Sequence, residues 1–270
     1  MEKSLEGQNG MGQTGFRIVA RGKRYRMGPA LTMRAPYGLE IIENCVTCPH
    51  LEERVFCNLP PRALQRLSEI TSASSYPKGA TLFVEGQTAR GVFILCNGRV
   101  KLFTSSKDGK SLIARIANEG EILGMPATLT GKPYELTAEV IEPTQANFIP
   151  RADFLGFLRD YGEAALRVAQ QLGETYHSAI SEMRAIGLSS SAAEKVARFL
   201  IDWCASHGNG KGELRSKLTL THEEIAEMIG ASRETVTRLF TAFKKKQLIE
   251  VKGSTLIIRN KTALERVAGI

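Results

Sequence analysis

The chain has 270 residues, enough for two domains, and its hydrophobic content of 43% and charged content of 24% are ordinary for a globular protein. A formal net charge of +8 and an isoelectric point near 9.3 favour a polyanionic partner. No stretch approaches the roughly 20 apolar residues of a membrane span, and the first residues lack the apolar core of a signal peptide. We therefore expect a cytoplasmic protein, with no membrane partner, whose five cysteines are thiols.

Residues 1–44 lack sustained periodicity and are rich in Gly, Arg and Lys, which predicts a disordered basic arm. A cysteine-containing loop follows. Cys45 and Cys48 are separated by two residues, Cys57 comes after eight more, and His50 lies between them. In a reducing compartment such a local group of cysteines indicates a metal or redox role more than a structural one.

From Tyr76 to Pro150, short β-rich runs alternate with glycine turns, which predicts an antiparallel sandwich or barrel. Asn97-Gly98 and Asp108-Gly109 are strong hairpin signals. Together with the cysteine loop, this region forms a predicted sensor domain over residues 45–160. The fold class that we expect for the whole chain is α+β.

The pattern of residues 161–190 predicts a long helix, followed by a hinge at Gly187–Ser191 (GLSSS). Apolar residues recur along it at a spacing close to the seven-residue repeat of a coiled coil, which favours pairing with a second copy of the chain. The set comprises Leu166, Val168, Ala169, Leu172, Tyr176, Ala179, Ile180, Met183 and Ile186. In the helix that follows, we expect Cys204 to be part of the core.

Residues 191–270 form the last predicted domain, and its central stretch runs from Thr219 to Lys246. Thr221 with Glu224 makes a capping box for a first helix, Gly230 suits its end, and Ser232 can cap a second helix. The Gly-turned segment LIEVKGSTLIIRN beyond them is typical of a wing. From residue 211 onward, twelve Lys or Arg face seven Asp or Glu, so positive charge is concentrated here.

The second helix has an apolar face and a donor-rich face, as a DNA recognition helix requires. Arg233, Glu234, Thr237 and Arg238 lie on the polar face. Candidate phosphate contacts, which add affinity without sequence information, are Ser232, Thr237, Lys244, Lys245 and Lys246. The chain shows no nucleophile–base pair, GxGxxG pattern or Walker lysine, so we do not expect an enzyme.

With a β barrel, a long helix, a hinge and a winged helix-turn-helix in that order, the chain resembles the Crp/Fnr family of bacterial transcription regulators. The most specific part of the resemblance is ASRETVTRLFTAFKKKQLIEVKG. It implies a β-roll like that of cyclic-nucleotide-binding domains, a long dimerisation helix and a C-terminal winged helix-turn-helix. It also implies a homodimer that binds a palindromic operator in double-stranded DNA and acts with RNA polymerase.

The resemblance also implies which bases are read. In the cyclic-AMP receptor type, an Arg, a Glu and a second Arg read a TGTGA-like half-site, and Arg233, Glu234 and Arg238 occupy those places here. Arg can bond guanine O6 and N7 bidentately, and Glu can accept from cytosine N4. The oxygen-sensing type has an apolar residue in the place of Arg233, so we predict the TGTGA-like preference.

Cyclic AMP is not the effector that the residues predict. Family members that bind it carry a Gly-Glu-Leu turn and an Arg-Ser or Arg-Thr pair for the cyclic phosphate. Here the turn reads Gly124-Met125-Pro126, the pair reads Tyr134-Glu135, and Lys132 is the only cation between Arg115 and Arg151. A buried phosphate without a charge partner is costly to hold.

Three alternatives for the sensor stay open. The oxygen-sensing branch implies a 4Fe–4S cluster, held here by Cys45, Cys48 and Cys57 with Cys96 as the fourth ligand, although the distant cysteine of that branch falls near Asn147. Zinc could instead be bound by the three loop cysteines and His50. In the third alternative the cysteines only pack, and another ligand such as haem, nitric oxide or a metabolite is sensed.

Overall fold

The computed structural model of the chain describes residues 19–20, 23–24, 36–39, 41–42, 44–188, 191–207 and 214–270. The predicted basic arm and the hinge at Ser189–Ser190 therefore lie largely outside the described residues. Within the arm, the described parts are a two-strand hairpin and a 3-10 turn at Pro36–Gly38.

The described strands and helices follow the predicted order. The strands are β1 (Val19–Ala20), β2 (Lys23–Arg24), β3 (Ser72–Tyr76), β4 (Thr81–Phe83), β5 (Gly91–Asn97), β6 (Val100–Ser105), β7 (Ser111–Ala117), β8 (Ile122–Leu123), β9 (Thr137–Val140), β10 (Thr144–Pro150), β11 (Arg215–Lys217), β12 (Ile249–Lys252) and β13 (Thr255–Ile258). The helices are α1 (Pro61–Ile70), α2 (Met125–Thr130), α3 (Arg151–Asp160), α4 (Gly162–Leu188), α5 (Ala192–His207), α6 (His222–Ile229), α7 (Arg233–Lys245) and α8 (Lys261–Ala268).

Two four-stranded antiparallel sheets build the β domain, in the orders β3-β10-β5-β8 and β4-β9-β6-β7. The predicted antiparallel β architecture is therefore confirmed. Strand β5 is apolar on both faces because it is covered on both sides. Phe93 and Leu95 face the core of the roll, whereas Val92, Ile94 and Cys96 face a second core that includes residues of α1 and α3.

One hairpin prediction is confirmed and the other is wrong. Asp108-Gly109 lies in the turn that joins β6 to β7, with Gly109 in the left-handed region at φ +79°. Asn97-Gly98 instead joins β5 to β6, which belong to different sheets. A Cβ on Gly98 would lie 2.3 Å from the Thr144 hydroxyl, so the glycine is needed for a close crossing between sheets rather than for a hairpin.

The predicted long helix corresponds to α4, and α3 is a separate helix that precedes it. Its apolar residues divide into two sets. Val168 and Leu172 pack against the β domain. Five other predicted residues are exposed or half-buried and, together with Gly173, recur after three and four residues alternately; this α4 seam consists of Leu166, Ala169, Gly173, Tyr176, Ile180 and Met183. The predicted Ala179 is exposed but falls outside that repeat, and the Ile186 side chain lies outside the described ones.

The C-terminal domain surrounds the buried residues of α5, α6 and α7 with the three-stranded sheet β11-β13-β12 and α8. Cys204 is 1% exposed, which confirms its predicted place in the core. Strands β12 and β13 form the predicted wing, and Gly253 at φ +57° makes its turn. No helix within the described segments is long and apolar enough to cross a membrane.

The two halves of the molecule share one apolar core. Ile113, Ile116 and Ile141 of the β domain belong to the same buried cluster as the core of the C-terminal domain, and α6 packs against β7. Around this contact, the Arg99 guanidinium lies 5.7 Å from the centre of the Trp203 ring. The C-terminal domain is therefore docked on the β domain in this structure.

Candidate functional site

Hydrogen bonds at the helix ends fix the geometry of the helix-turn-helix. The Thr221 hydroxyl accepts from the Glu224 amide, and the Glu224 carboxylate accepts from the Thr221 amide at 2.7 Å, which completes the predicted capping box. Gly230 ends α6 in the left-handed conformation, and the Ser232 hydroxyl accepts from the Thr235 amide at 3.2 Å to start α7. The predicted turn is thus built from local interactions.

Helix α7 separates its faces as predicted. Val236, Phe240 and Phe243 are buried in the core of the domain. Arg233, Glu234, Thr237 and Arg238 are exposed and line a single open depression of about 390 Å³. Hydrogen bonds from its own backbone amide and from the Ser232 hydroxyl lower the pKa of Glu234, so this carboxylate stays ionised as an acceptor.

His222, which the sequence analysis did not assign to this site, contacts the exposed face of α7 through Thr237. The Thr237 hydroxyl donates to the Arg233 carbonyl at 2.9 Å, and the Nδ1 atom of His222 lies 2.9 Å from the same hydroxyl oxygen. Because the single hydroxyl proton is already donated, Nδ1–H of His222 is the donor in that second bond. The His222 ring also contacts Phe240, with centroids 4.6 Å apart.

The candidate phosphate contacts surround this face. Lys244 and Lys245 occupy the last turn of α7, where the helix dipole favours cations, and Lys246 follows directly; all three are exposed. The Ser232 hydroxyl accepts from the Thr235 amide as the helix cap and donates its own proton to the Thr235 hydroxyl oxygen at 3.2 Å. The lysines therefore extend the positive surface past the reading residues.

All four candidate cysteines lie close enough to affect one another. Cys57 and Cys96 are buried, and Cys45 and Cys48 are half-buried. Burial raises the pKa of Cys57 and of Cys96 to about 12, and the neighbouring cysteines add to the increase. Burial likewise raises the pKa of Cys45, with a smaller contribution from Cys48. The distant Cys96 is therefore brought to the loop.

Two buried polar side chains, neither of which the sequence analysis identified, hold the cysteine loop in place. Gln145 of β10 exchanges two hydrogen bonds with the backbone of Ile42, at 2.7 and 2.8 Å. Arg54, only 6% exposed, donates to the Cys96 carbonyl at 2.6 Å and lies 3.5 Å from the Glu119 carboxylate. The loop is thus fastened to both β10 and β5.

The fourth cysteine is on the strand next to the position that the family resemblance indicated. Asn147 of β10 pairs with Ile94 of β5, and Cys96 faces the same side of β5 as Ile94. A β-bulge at Gln145 leaves Cys96 without a directly opposed residue. Asn147 itself is buried and accepts a hydrogen bond from Gln145 at 3.0 Å, so its amide supports the loop anchor.

The zinc alternative receives no support from the geometry. His50 lies 3.3 Å from the Glu53 carboxylate rather than joining the thiols. Within the described residues, no group of three or more His, Cys, Asp or Glu side chains is arranged to hold one metal ion. A single ion needs ligands that converge on one point. The same finding covers Cys45, Cys48, Cys57 and Cys96, which lie near one another without forming such a group in the described residues.

The position that would hold a cyclic phosphate is filled by an aromatic side chain. Tyr134 is 4% exposed, stacks on Phe83 at 4.1 Å and donates to the Gly91 carbonyl at 2.7 Å. A Cβ on Gly124 would lie 2.7 Å from the Tyr134 ring, so the turn and the ring are packed together. Tyr134 therefore fills the space between Phe83 and Gly124 with an aromatic ring, and Arg90 is the cation near enough to influence its pKa.

Two family models match the chain. Residues 73–161 match the cyclic nucleotide-binding domain, and residues 194–267 match the Crp-like helix-turn-helix domain. These ranges contain the β domain and the helix-turn-helix described above, in the same order.

Curated relatives match over most of their length. The CRP-like cAMP-activated global transcriptional regulator of Mycobacterium tuberculosis (strain CDC 1551 / Oshkosh) is 25% identical over 215 residues, which cover 79% of this chain and 96% of that protein. The fumarate and nitrate reduction regulatory protein of Vibrio cholerae is 25% identical over 232 residues, covering 84% and 91%. These two relatives differ in what their names say about regulation.

Solved structures share the fold. FixK2 from Bradyrhizobium japonicum superposes with a TM-score of 0.66 at 21% identity, covering 73% of this chain and 97% of that one. A CooA mutant from Carboxydothermus hydrogenoformans gives a TM-score of 0.63 at 23% identity, covering 74% and 88%.

Proposed function

Because the chain belongs to the Crp/Fnr family of DNA-binding transcription regulators, we propose that it acts as a homodimer that reads a palindromic, TGTGA-like site. Each chain places α7 in the major groove of one half-site. The sensor domain controls this binding, and the regulator acts on transcription together with RNA polymerase.

The observation that carries this proposal is the exposed reading face of α7. Arg233, Glu234 and Arg238 line one depression on a helix whose opposite side is buried. Each arginine can donate two hydrogen bonds to one guanine, and the ionised Glu234 can accept from a cytosine amino group. The exposed lysines at the end of the helix supply phosphate contacts that do not depend on sequence.

The α4 seam supports the dimer. Leu166, Tyr176 and Met183 are 60%, 64% and 63% exposed, although they are large and apolar. Their alternating spacing of three and four residues is that of a two-helix coiled coil. A second copy of α4 would bury these residues and present two recognition helices to a site with two-fold symmetry.

Gel-shift titrations of the full chain on a TGTGA palindrome and on a scrambled duplex test the base assignment. Replacing Arg238 with Ala should cost about 1–3 kcal/mol on the palindrome and relax preference at the guanine that it contacts. The matched variant Lys245→Ala should weaken binding to both duplexes alike, because a phosphate contact carries no sequence information. An Arg238 variant that keeps both the wild-type affinity for the palindrome and the wild-type preference over the scrambled duplex would exclude the proposed base contact.

We also propose that cyclic AMP is not the effector. The buried Tyr134 fills the place of the cation that would hold its phosphate, and its hydroxyl is committed to Gly91. Calorimetry of the full chain with cyclic AMP should show no saturable heat. A micromolar dissociation constant would overturn this part of the proposal.

For the sensor we propose a 4Fe–4S cluster bound by Cys45, Cys48, Cys57 and Cys96. The four thiols influence one another, and Phe56, Leu64 and Ile94 belong to the apolar core that surrounds the two buried ones. When bound, such a cluster supplies redox chemistry and links the loop to β5. The chain's own contribution is to hold the loop against β5 through Gln145 and Arg54.

Anaerobic purification followed by visible absorption and iron analysis tests the cluster. Wild-type protein should carry iron and a visible band that Cys96→Ser reduces, whereas Cys204→Ser, outside the group, should leave both unchanged. Iron-free, colourless wild-type protein under these conditions would favour the alternative, a regulator that senses another ligand such as haem, nitric oxide or a metabolite. Haem has its own visible spectrum and would be identified in the same measurement.

A further inference from the structure

A cavity of about 880 Å³ lies where the β domain, α4, α5 and α6 meet. Its walls include Ile113 of β7, Thr175 of α4, Phe199 and Trp203 of α5, and Met228 of α6. Ligand pockets in proteins typically measure roughly 300–1,000 Å³, are mostly apolar and often lie between domains. This cavity therefore has the size, lining and position of a small-molecule site.

The cavity and the α4 seam use different faces of the helix. Gln171 and Ser178 line the cavity and fall on the side opposite to the seam positions Ala169 and Tyr176. Of the seam residues, only Met183 also lines the cavity. A second copy of the chain that covers the seam therefore leaves the cavity free.

Two cations of the cavity wall, Arg198 and Lys195, have hydrogen-bond donors without a partner in the described part of the chain. Arg115 is paired with Glu121. Arg198 donates to the Ala268 carbonyl at 3.0 Å, whereas its buried Nε has no hydrogen-bond partner. Burial raises the pKa of Asp202, and the nearby Arg198 guanidinium opposes that increase. Lys195 is half-buried, and among the described residues its ammonium group has no hydrogen bond or ion pair. A partly buried cation beside an apolar wall favours an anionic ligand.

We propose that this cavity binds an amphipathic organic anion, a molecule with a flat apolar body and one carboxylate, sulfonate or phosphate group. Lys195 binds the anionic group through a charge-assisted hydrogen bond. The apolar body packs against Phe199, Trp203 and Met228. Glu174, the remaining carboxylate of the wall, is exposed and stays solvated.

This site deepens the proposed function, because its ligand would act on DNA binding. The walls come from the sensor domain, the long helix and the reading domain, so an occupant contacts all three. A ligand that binds only when the domains are docked stabilises the docked arrangement by its own binding free energy. DNA affinity then changes with occupancy, and by linkage DNA changes ligand affinity by the same factor.

The experiment uses the chain's single tryptophan, Trp203, which lines the cavity. The full chain is titrated with the apolar aromatic anion anilinonaphthalene sulfonate while the tryptophan is excited, and energy transfer to the dye is recorded without DNA. Wild-type protein should show saturable transfer at one dye molecule per chain.

Three variants decide the assignment. Lys195→Gln should weaken dye binding by on the order of tenfold, as expected for the loss of one charge-assisted contact. Thr175→Phe, which fills the cavity, should abolish the transfer, whereas Lys132→Gln, at an exposed position elsewhere, should match the wild type. No saturable transfer, or unchanged affinity in Lys195→Gln, overturns the proposal; if Thr175→Phe does not fold, the Lys195 comparison is sufficient.

A DNA titration separates this inference from the proposed function. Dye at a concentration near its wild-type Kd should shift the palindrome affinity of the wild type and shift that of Lys195→Gln much less, because the variant is then mostly unoccupied. If no DNA is bound by any variant while the dye still binds as described, the proposed function fails and the ligand site stands. If DNA is bound and the dye is not, the reverse holds.

Discussion

His222 lies beside the cations of the DNA-reading surface and links DNA binding to pH. Burial lowers its pKa, and the nearby Lys244 and Arg233 lower it further, so the ring of the free protein is neutral near pH 7. Bound phosphates neutralise the two cations, so the pKa of His222 rises in the complex and a proton is taken up.

DNA affinity should therefore increase as the pH is lowered from about 8 to about 6, because the complex binds more protons than the free protein. Fluorescence anisotropy with a labelled palindrome across this range measures the effect. His222→Gln keeps a donor for Thr237 but cannot titrate, so its affinity should vary less with pH. The same slope in both proteins would contradict the linkage.

The buried thiols have pKa values shifted in the opposite direction to that of His222, and they make the stability of the fold depend on pH. The pKa of Cys57 and of Cys96 is raised to about 12, so the folded apo-protein holds these protons at pH values where the unfolded chain, with thiols near 8.5, has lost them. The unfolding free energy should be fully present below about pH 8.5 and decrease as the pH rises toward 12.

Brief iodoacetamide treatment of apo-protein at neutral pH, followed by mass spectrometry, should leave Cys57 and Cys96 almost unmodified until urea unfolds the chain. Equal modification in native protein and in urea would show that the thiols are not buried as described.

The helix caps of the helix-turn-helix were predictable from the sequence, and the side chains that hold the cysteine loop were not. Ser232 and Gly230 act within one turn of chain, so their roles follow from residue type and spacing. Arg54 meets the carbonyl of Cys96 across 42 positions, and Gln145 meets Ile42 across 103. Nothing in the residue type alone distinguishes a buried Arg or Gln of this kind from a solvated one.

Among the secondary-structure elements, α4 carries the proposed dimer interface, which substitutions in the α4 seam can test. Replacing Tyr176 and Met183 with Glu would place like charges opposite each other where two copies of the seam meet. The double variant should sediment as a monomer and lose affinity for the palindrome while each chain remains folded. Analytical ultracentrifugation with a parallel anisotropy titration measures both changes.

The matched control for that variant is Ser181→Glu, on the same helix and exposed but outside the seam. It should remain a dimer. A double variant that sediments like the control would show that the seam is not the dimer interface.

The pairing of the strands could not be predicted from the turn sequences alone. Asn97-Gly98 and Asp108-Gly109 carry the same turn chemistry, yet only the second makes a hairpin. The difference lies in the partners: β5 pairs with β10 and β8 in one sheet, whereas β6 pairs with β9 and β7 in the other. A turn dipeptide specifies the backbone of two residues, whereas the partner of a strand depends on segments distant in the chain.

At the scale of the whole molecule, the shared core predicts cooperative unfolding. Ile113 is 2% exposed because the C-terminal domain covers it. Ile113→Ser should loosen the docking, separate one calorimetric transition into two and increase proteolytic cleavage near residues 189–190. The control Leu112→Ser changes a neighbouring side chain that is 43% exposed and should keep the wild-type pattern. Identical unfolding of the two variants would argue against docking in solution.

The interdomain cavity illustrates what the sequence could not provide. Its lining residues come from four elements between β7 and α6, and each has an ordinary alternative as a core or surface residue. Only the relative placement of the two domains makes Lys195 and Trp203 neighbours of Ile113. Domain order could be predicted from composition and motifs, whereas the angle between domains depends on the shared core.

The core shared by the two domains limits how easily one domain can be exchanged for another during evolution. The reading domain keeps Ile113, Ile116 and Ile141 of the sensor away from water, so each domain completes the surface of the other. A chimera that joined residues 191–270 to an unrelated sensor would expose apolar surface on both parts and would be prone to aggregate. Exchange of sensors by recombination would therefore require matched changes on β7 and α6, so these two surfaces are expected to change in step as the lineage diverges.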